Sequence, residues 1–169
     1  HLNVNLFYDY FKNIDSESIF LKYALNEKLI DIISNYFGIL PKLNFIQLWI
    51  SRNPFEDQES VTEKNLLSSQ IFHLDQESDR TVKLIIPIND WKESGGAIQF
   101  YDLKTSDNIT KNIGIKASRF DKNAFSDLNL NKYSGSGKIM NSEIKFGEAL
   151  LLDTCSCLHY GSRIKNNNK

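Results

Sequence analysis

The feature that most constrains the fold is a change of pattern in the first third of the chain, where helical periodicity gives way to short β-branched runs. From Asn26 to Phe37, apolar residues recur at helical spacing, and Gly38 followed by Pro41 is a stop signal. From Leu43 onward, the apolar runs are short, rich in β-branched and aromatic residues, and separated by polar or glycine-containing turns. This order predicts a mostly β fold with flanking helices.

The strand-like runs are numerous and short. They cover 43–51, 69–75, 82–88, 97–101, 148–153 and 155–160, with a turn at 93–96. Pro87 marks the third run as an edge or a bulge. The front part has room for a further helix between Phe7 and Tyr23, with Asp15 or Ser16 as its N-cap. Helices followed by many short strands predict a jelly-roll barrel, a cupin-like double-stranded β-helix, with the helices packed outside.

The length of 169 residues predicts one domain. We expect a helical front part at 1–40, a jelly-roll core at 43–165 and an insert at 102–145. The insert is polar, carries more lysine and arginine than acid, and is too long for an ordinary loop. It is therefore interpreted as a lid over an anionic substrate, or else as a solvated, disordered segment.

Charge and composition exclude several classes of partner. The net charge of −1 gives no field that would attract nucleic acid or an anionic membrane. We find no apolar run near the roughly 20 residues that a membrane-spanning helix needs. The two cysteines, Cys155 and Cys157, are too close for a disulfide framework, and this predicts a reducing, cytoplasmic location.

Candidate metal ligands come from two of the three histidines. His73 and Asp75 are two residues apart, so on an extended strand they point to the same side. His159 ends a distant apolar run, and a β-barrel can bring such strand ends together. Two imidazoles and one carboxylate leave open positions on octahedral iron, the pattern of non-haem Fe(II) oxygenases.

Simpler interpretations of the same residues remain open. His73 can be a buried histidine hydrogen-bonded to a neighbour, and Asp75 a turn or cap residue. Cys155, Cys157 and His159 alternate and could share one face as a thiolate metal site, although both thiols are also typical small core residues.

Several motifs in one order resemble the phytanoyl-CoA dioxygenase family. They are the H-x-D of 73–75, the apolar strand of 82–90, the acidic-glycine turn of 93–96, the run of 147–153 and the distal histidine within 158–163. The match covers roughly the last hundred residues, and the front half resembles the family only loosely.

The resemblance implies an Fe(II)/2-oxoglutarate-dependent dioxygenase that hydroxylates a small organic substrate, with His73, Asp75 and His159 as metal ligands. Halogenating relatives replace the carboxylate with a small residue, so Asp75 indicates hydroxylation. Arg163 is the expected cation for the distal carboxylate of 2-oxoglutarate, because arginine binds carboxylates in a two-pronged contact. Three further residues are expected to line the pocket: Gln70, Gln47 and Trp49. Core packing alone would also explain Trp49.

The chain departs from the family pattern near its end. The usual basic anchor sits further past the distal histidine, on a following strand, whereas 166–169 looks like a hairpin turn whose return strand is missing. Arg163 can therefore be a structural residue, and the last strand of the barrel is expected to be absent. Two alternative functions stay open: a non-catalytic or truncated jelly-roll binding module, and a cupin-like metal enzyme that does not use 2-oxoglutarate.

Overall fold

The chain forms two compact units. The structure, a computed structural model, describes residues 5–8, 16–51, 66, 68–76, 80–93, 95–114, 117 and 123–164. The smaller unit spans 5–50, and the larger contains 51–169 together with the first four residues. The boundary falls inside the run predicted as one strand at 43–51.

The smaller unit contains two helices and a pair of strands. Strands β1 (Asn5–Tyr8) and β2 (Leu48–Ser51) pair with each other, and helices α1 (Ile19–Ala24) and α2 (Glu27–Phe37) lie between them in sequence. Where a helix from Phe7 was predicted, the structure has a strand at the start and a helix only from Ile19. The predicted cap Asp15 lies outside the described residues, and Ser16 lies in a turn.

Helix α2 confirms the prediction for 26–37, including both of its ends. The Asn26 side chain accepts a hydrogen bond from the backbone N–H of Lys28 at 3.1 Å, which satisfies one of the free donors of the first turn. Gly38 ends the helix with φ of 70°, a left-handed conformation that glycine adopts at little cost.

The larger unit contains small antiparallel sheets with flanking helices, which confirms the coarse fold prediction. One sheet pairs β3 (Val82–Ile85) with β6 (Leu150–Asp153). The other has the order β5-β4-β7, built from Met140–Asn141, Gln99–Phe100 and His159–Tyr160. Because β7 pairs with the central strand β4, His159 lies opposite Phe100 in the ladder.

The strands are shorter than the apolar runs that predicted them. Strand β3 stops before Pro87, which has no N–H to donate to a ladder. The run 69–75 is a 3-10 turn at Ser68–Gln70 followed by a single β-bridge at His73 rather than a full strand. In the run 155–160, only His159–Tyr160 is strand, since 154–156 form a turn.

The segment 102–145 is not one long loop. It contains helix α3 (Leu103–Ile113) and helix α4 (Asp127–Tyr133), each begun by a side-chain cap, Asp102 for α3 and Ser126 for α4. Ile109 and Leu130 are fully buried, so both helices contribute to the core. Pattern alone missed these helices because each buries only one or two large apolar side chains.

Among the described residues of the larger unit, the buried apolar side chains form two clusters. The first is built from Leu66, Ile71, Phe72, Tyr101, Ile109, Ala117, Phe125, Leu130, Leu158 and Tyr160. The second, smaller cluster contains Ile98, Leu152 and Cys157. Phe72 and Leu158 have no exposed surface and directly precede His73 and His159. Packing of these two neighbours therefore holds both histidines in place.

The backbone at Gly96 approaches the backbone at Ser162 closely, near His159. Gly96 has φ of 82°, and a Cβ at this position would lie only 2.8 Å from the Cα of Ser162. The Gly96 carbonyl accepts a hydrogen bond from the Ser162 N–H at 2.8 Å. Only glycine allows this close approach, which fixes the chain just beyond His159.

Within the described part of the chain, no helix combines the length and the apolar composition needed to cross a membrane.

Candidate metal centre

His73 and His159 are brought together by backbone hydrogen bonds. The two residues form an isolated antiparallel bridge, in which the His73 N–H donates to the His159 carbonyl at 3.0 Å and the His159 N–H donates back at 3.1 Å. Residues paired in this way carry their side chains on the same side of the ladder. The imidazole centroids lie 4.4 Å apart.

A backbone carbonyl orients each imidazole. The Nδ1 of His73 lies 2.7 Å from the Ile71 carbonyl oxygen, and the Nδ1 of His159 lies 2.9 Å from that of Cys157. A carbonyl can only accept, so Nδ1 carries the proton in both rings. In this tautomer, Nε2 is the ring nitrogen that carries the lone pair. This is the arrangement in which histidines bind metals, with the second nitrogen held by an outer partner.

Asp75 completes a triad with the two histidines. Its Oδ1 lies 3.7 Å from the Nε2 of His73, and its Oδ2 lies 3.8 Å from the Nε2 of His159. Its backbone N–H donates to the Thr154 carbonyl at 2.8 Å, which anchors the residue to the turn after β6. All three triad residues are buried.

The Asp75 carboxylate is held in its charged form. Burial acts to raise its pKa, but the electrostatic interaction with His159 and the contact with Lys83 outweigh burial and lower the pKa to about 2. The Nζ of Lys83 lies 2.6 Å from Oδ2 of Asp75. The carboxylate is therefore ionised and available as a ligand at neutral pH.

The geometry of the triad fits a metal ion. One ligand atom from each residue lies within 4.8 Å of the others. Two atoms that share a metal at about 2.1 Å are about 3.0 Å apart at right angles and about 4.2 Å apart on opposite sides. The distances from the Asp75 carboxylate to the two Nε2 atoms, 3.7 Å from Oδ1 and 3.8 Å from Oδ2, fall in this range. The structure therefore brings the three residues predicted from the sequence into a group that could hold a metal ion.

The two cysteines lie outside this group. Burial raises the pKa of the Cys157 thiol to about 11, with Asp153 and Asp102 adding to the shift, and burial also raises the pKa of Cys155. A thiolate is the form that binds metals, so this environment disfavours the alternative site of Cys155, Cys157 and His159. Neither Cys155 nor Cys157 forms a disulfide.

Arg163, the predicted anchor for 2-oxoglutarate, is engaged by protein groups. Its Nη1 and Nη2 donate to the two carboxylate oxygens of Asp127 at 2.6 and 2.9 Å, and its Nε donates to the Gln70 carbonyl at 2.7 Å. Its guanidinium also stacks on the Tyr160 ring at 3.5 Å. These contacts join α4 to β7 and to the turn before His73. The anchoring role of Arg163 stays a prediction.

The other predicted pocket residues are divided between the two units. Gln70 is fully buried in the larger unit, and its side-chain amide donates to the Ser162 carbonyl at 2.9 Å. In the smaller unit, the Trp49 indole N–H donates to the Gln47 side chain at 3.1 Å. Trp49 is about two-fifths exposed, so core packing does not explain it fully.

We expect Arg163→Met to lower the free energy of unfolding by about 1 to 2 kcal/mol, because it removes a two-pronged ion pair and a cation–π contact. The value is modest since Asp127 is partly exposed. Chemical denaturation measures it. Lys111→Met is the matched control, because it breaks an ion pair of equal length, 2.6 Å, that is largely exposed. Equal, negligible effects of both substitutions would contradict the structural role of Arg163.

Lys83 is the residue at this site that sequence reasoning missed. It is a single charged side chain inside the apolar run of 82–88, and it directly contacts the carboxylate of the H-x-D motif. Lysine is almost never buried unless it is paired, so its position in that run was the available signal.

Comparisons with protein-family models, with curated proteins and with solved structures found no match to this chain. Function is therefore inferred from the triad and its surroundings.

Proposed function

We propose that this chain is an Fe(II)/2-oxoglutarate-dependent dioxygenase, similar to the phytanoyl-CoA dioxygenase family, that hydroxylates a small organic substrate. The observation that carries the proposal is the buried triad of two imidazoles and one carboxylate, the ligand set of non-haem Fe(II) oxygenases. The proposal includes a jelly-roll core around this triad and a cytoplasmic setting in which Cys155 and Cys157 stay reduced.

In this proposal, His73, Asp75 and His159 would hold the iron. The iron, with 2-oxoglutarate and oxygen, supplies the oxidising chemistry when bound. The protein contributes orientation and the exclusion of water. The carbonyls of Ile71 and Cys157 keep both Nε2 atoms directed at the ion, since they hold the Nδ1 protons.

Asp75 has a second role in the proposal. A carboxylate occupies the position that halogenating relatives leave to a small residue, so the proposed outcome is hydroxylation. The electrostatic interaction with His159 and the contact with Lys83 keep the pKa of this carboxylate low, so that it is ionised. The substrate class suggested by the mild excess of basic residues in 102–145 is anionic.

The experiment that tests this function is release of succinate from 2-oxoglutarate after loading with Fe(II) under anaerobic conditions and exposure to oxygen. We expect succinate from the wild type, even in slow turnover without the true substrate, and none from His73→Ala or Asp75→Ala. Asp107→Ala, which changes an exposed acid on α3, is the control and should behave like the wild type. Equal succinate from all four proteins would reject the proposal.

One observation favours an alternative function. The Arg163 guanidinium is already paired with the Asp127 carboxylate. A residue that anchors a cosubstrate would not need such a partner. This pairing fits a cupin-like metal enzyme that shares the triad but does not use 2-oxoglutarate. Metal-dependent oxygen consumption with a substrate in the absence of 2-oxoglutarate would support that alternative.

A further inference from the structure

A serine side chain is inserted into the ladder that carries His159. In an antiparallel sheet, the residues of a hydrogen-bonded pair exchange two backbone hydrogen bonds, one in each direction. Tyr101 and Leu158 extend the pairing of β4 with β7 by one residue, and the Tyr101 N–H donates directly to the Leu158 carbonyl at 2.9 Å. The return bond passes through the hydroxyl of Ser106, which accepts from the Leu158 N–H at 2.9 Å and donates to the Tyr101 carbonyl at 3.2 Å.

The inserted hydroxyl is difficult to replace because its surroundings are buried. Ser106 and Tyr101 are each 1% exposed, and Leu158 has no exposed surface. Water therefore has little access to the two backbone groups that the hydroxyl joins. A buried N–H or carbonyl that loses its partner costs free energy unless the structure moves to satisfy it. Loss of the hydroxyl should therefore shift the backbone at Leu158 relative to β4.

Such a shift would reach the metal site because Leu158 directly precedes His159. The backbone N–H and carbonyl of His159 are both bonded to His73. Since strand alternation directs these two groups to one side, the bonds toward β4 are made by the chain neighbours of His159. The position of His159 relative to β4 therefore depends on the bridge through Ser106. Its Nε2 lies 3.8 Å from the Asp75 carboxylate, and this separation would change with the backbone.

We propose that Ser106 is a positioning residue for His159 and that it couples helix α3 to the metal centre. This inference rests on the proposed function only in that the triad binds a metal ion. Ser106 lies in the first turn of α3, and its backbone N–H donates to the carbonyl of the cap residue Asp102 at 2.9 Å, so its side chain moves with the helix. A displacement of α3 therefore moves the backbone next to His159. Because coupling between two parts of a protein is reciprocal, a bound metal also holds α3 in place.

Titration with Co(II) under nitrogen tests the proposal, since it measures both the affinity for the ion and the visible absorption spectrum, which reports how the ligands surround the ion. We expect Ser106→Ala to lower the affinity by about 10-fold, the lower end of the range for losing an outer partner of a metal ligand. Its spectrum should differ from that of the wild type. A serine that only stabilised the fold would lower the stability and leave the spectrum of the loaded protein unchanged.

Two further variants separate the role of the hydroxyl from other effects of the substitution. Ser106→Thr keeps the hydroxyl and should bind Co(II) more tightly than Ser106→Ala. Ser142→Ala is the matched control, because it removes another buried serine hydroxyl from the same sheet, one that donates to the Ile98 carbonyl at 2.6 Å. That bond lies on the side of β4 that faces β5 rather than β7, so the affinity and the spectrum should match those of the wild type.

Wild-type affinity and spectrum in folded Ser106→Ala would overturn the proposal, as would equal weakening in Ser106→Ala and Ser106→Thr. Should Ser106→Ala fail to fold, amide hydrogen exchange of the wild type decides, since Zn(II) should slow exchange in α3 as well as around His73. Slower exchange around His73 alone would contradict the coupling. The proposed function fails separately, when the wild type binds Co(II) but releases no succinate with Fe(II).

Discussion

Replacing His159 with alanine is expected to lower the affinity for Mn(II) by more than about 100-fold. Loss of an outer partner of a metal ligand already costs 10- to 100-fold, and this substitution removes a ligand itself. It leaves His73 and Asp75, which are too few to compensate for the dehydration of the ion. Calorimetric titration of the purified protein with Mn(II) measures the change.

The matched control for this prediction is His1→Ala, which removes the third histidine of the sequence and should not change the affinity. Thermal unfolding checks that the His159→Ala protein is folded. Wild-type affinity in folded His159→Ala would mean that the ion binds elsewhere, and the triad would lose its assigned role.

Phe72→Ala is expected to lower the free energy of unfolding of the larger unit by about 3 to 5 kcal/mol. Phe72 has no exposed surface, and its ring meets Tyr160 edge-on at 4.6 Å and Tyr101 at 5.4 Å. The substitution leaves a cavity and removes both aromatic contacts. Denaturation in guanidinium chloride, followed by fluorescence, measures the loss.

Phe146→Ala provides the comparison, since Phe146 is 71% exposed and its truncation should change the free energy of unfolding by no more than about 0.5 kcal/mol. Because Phe72 directly precedes His73, its loss should also weaken Mn(II) binding, whereas the loss of Phe146 should not. Similar stabilities for the two variants would show that Phe72 does not hold the core as described.

The triad could be predicted from sequence because each of its members carries a local signal. His73 and Asp75 are two residues apart, which places them on one side of an extended segment, and His159 ends an apolar run. The structure adds the backbone bridge between the histidines, which brings together segments that are distant in sequence. Helix α2 was predictable for the same reason, since its periodicity and both caps are local.

The features that sequence could not give depend on contacts across the fold. Arg163 and Asp127 are far apart in the chain, and no local pattern predicts that they pair. Helices α3 and α4 were missed because their buried faces are small and their composition is polar. The family resemblance and the jelly-roll core stay predictions, while the antiparallel sheets and the flanking helices are observed.

The role of Lys83 is only weakly indicated by the sequence and becomes visible in the structure. In the sequence it is one charged residue in an apolar strand. In the fold, its ammonium forms an ion pair with the ionised carboxylate of Asp75.

The most direct test of the account is a crystal structure of the protein with Mn(II), in which anomalous scattering locates the ion. The account predicts one strong peak at about 2.2 Å from the Nε2 atoms of His73 and His159 and from an Asp75 carboxylate oxygen. A peak bound by only one of these residues, or by none of them, would contradict it.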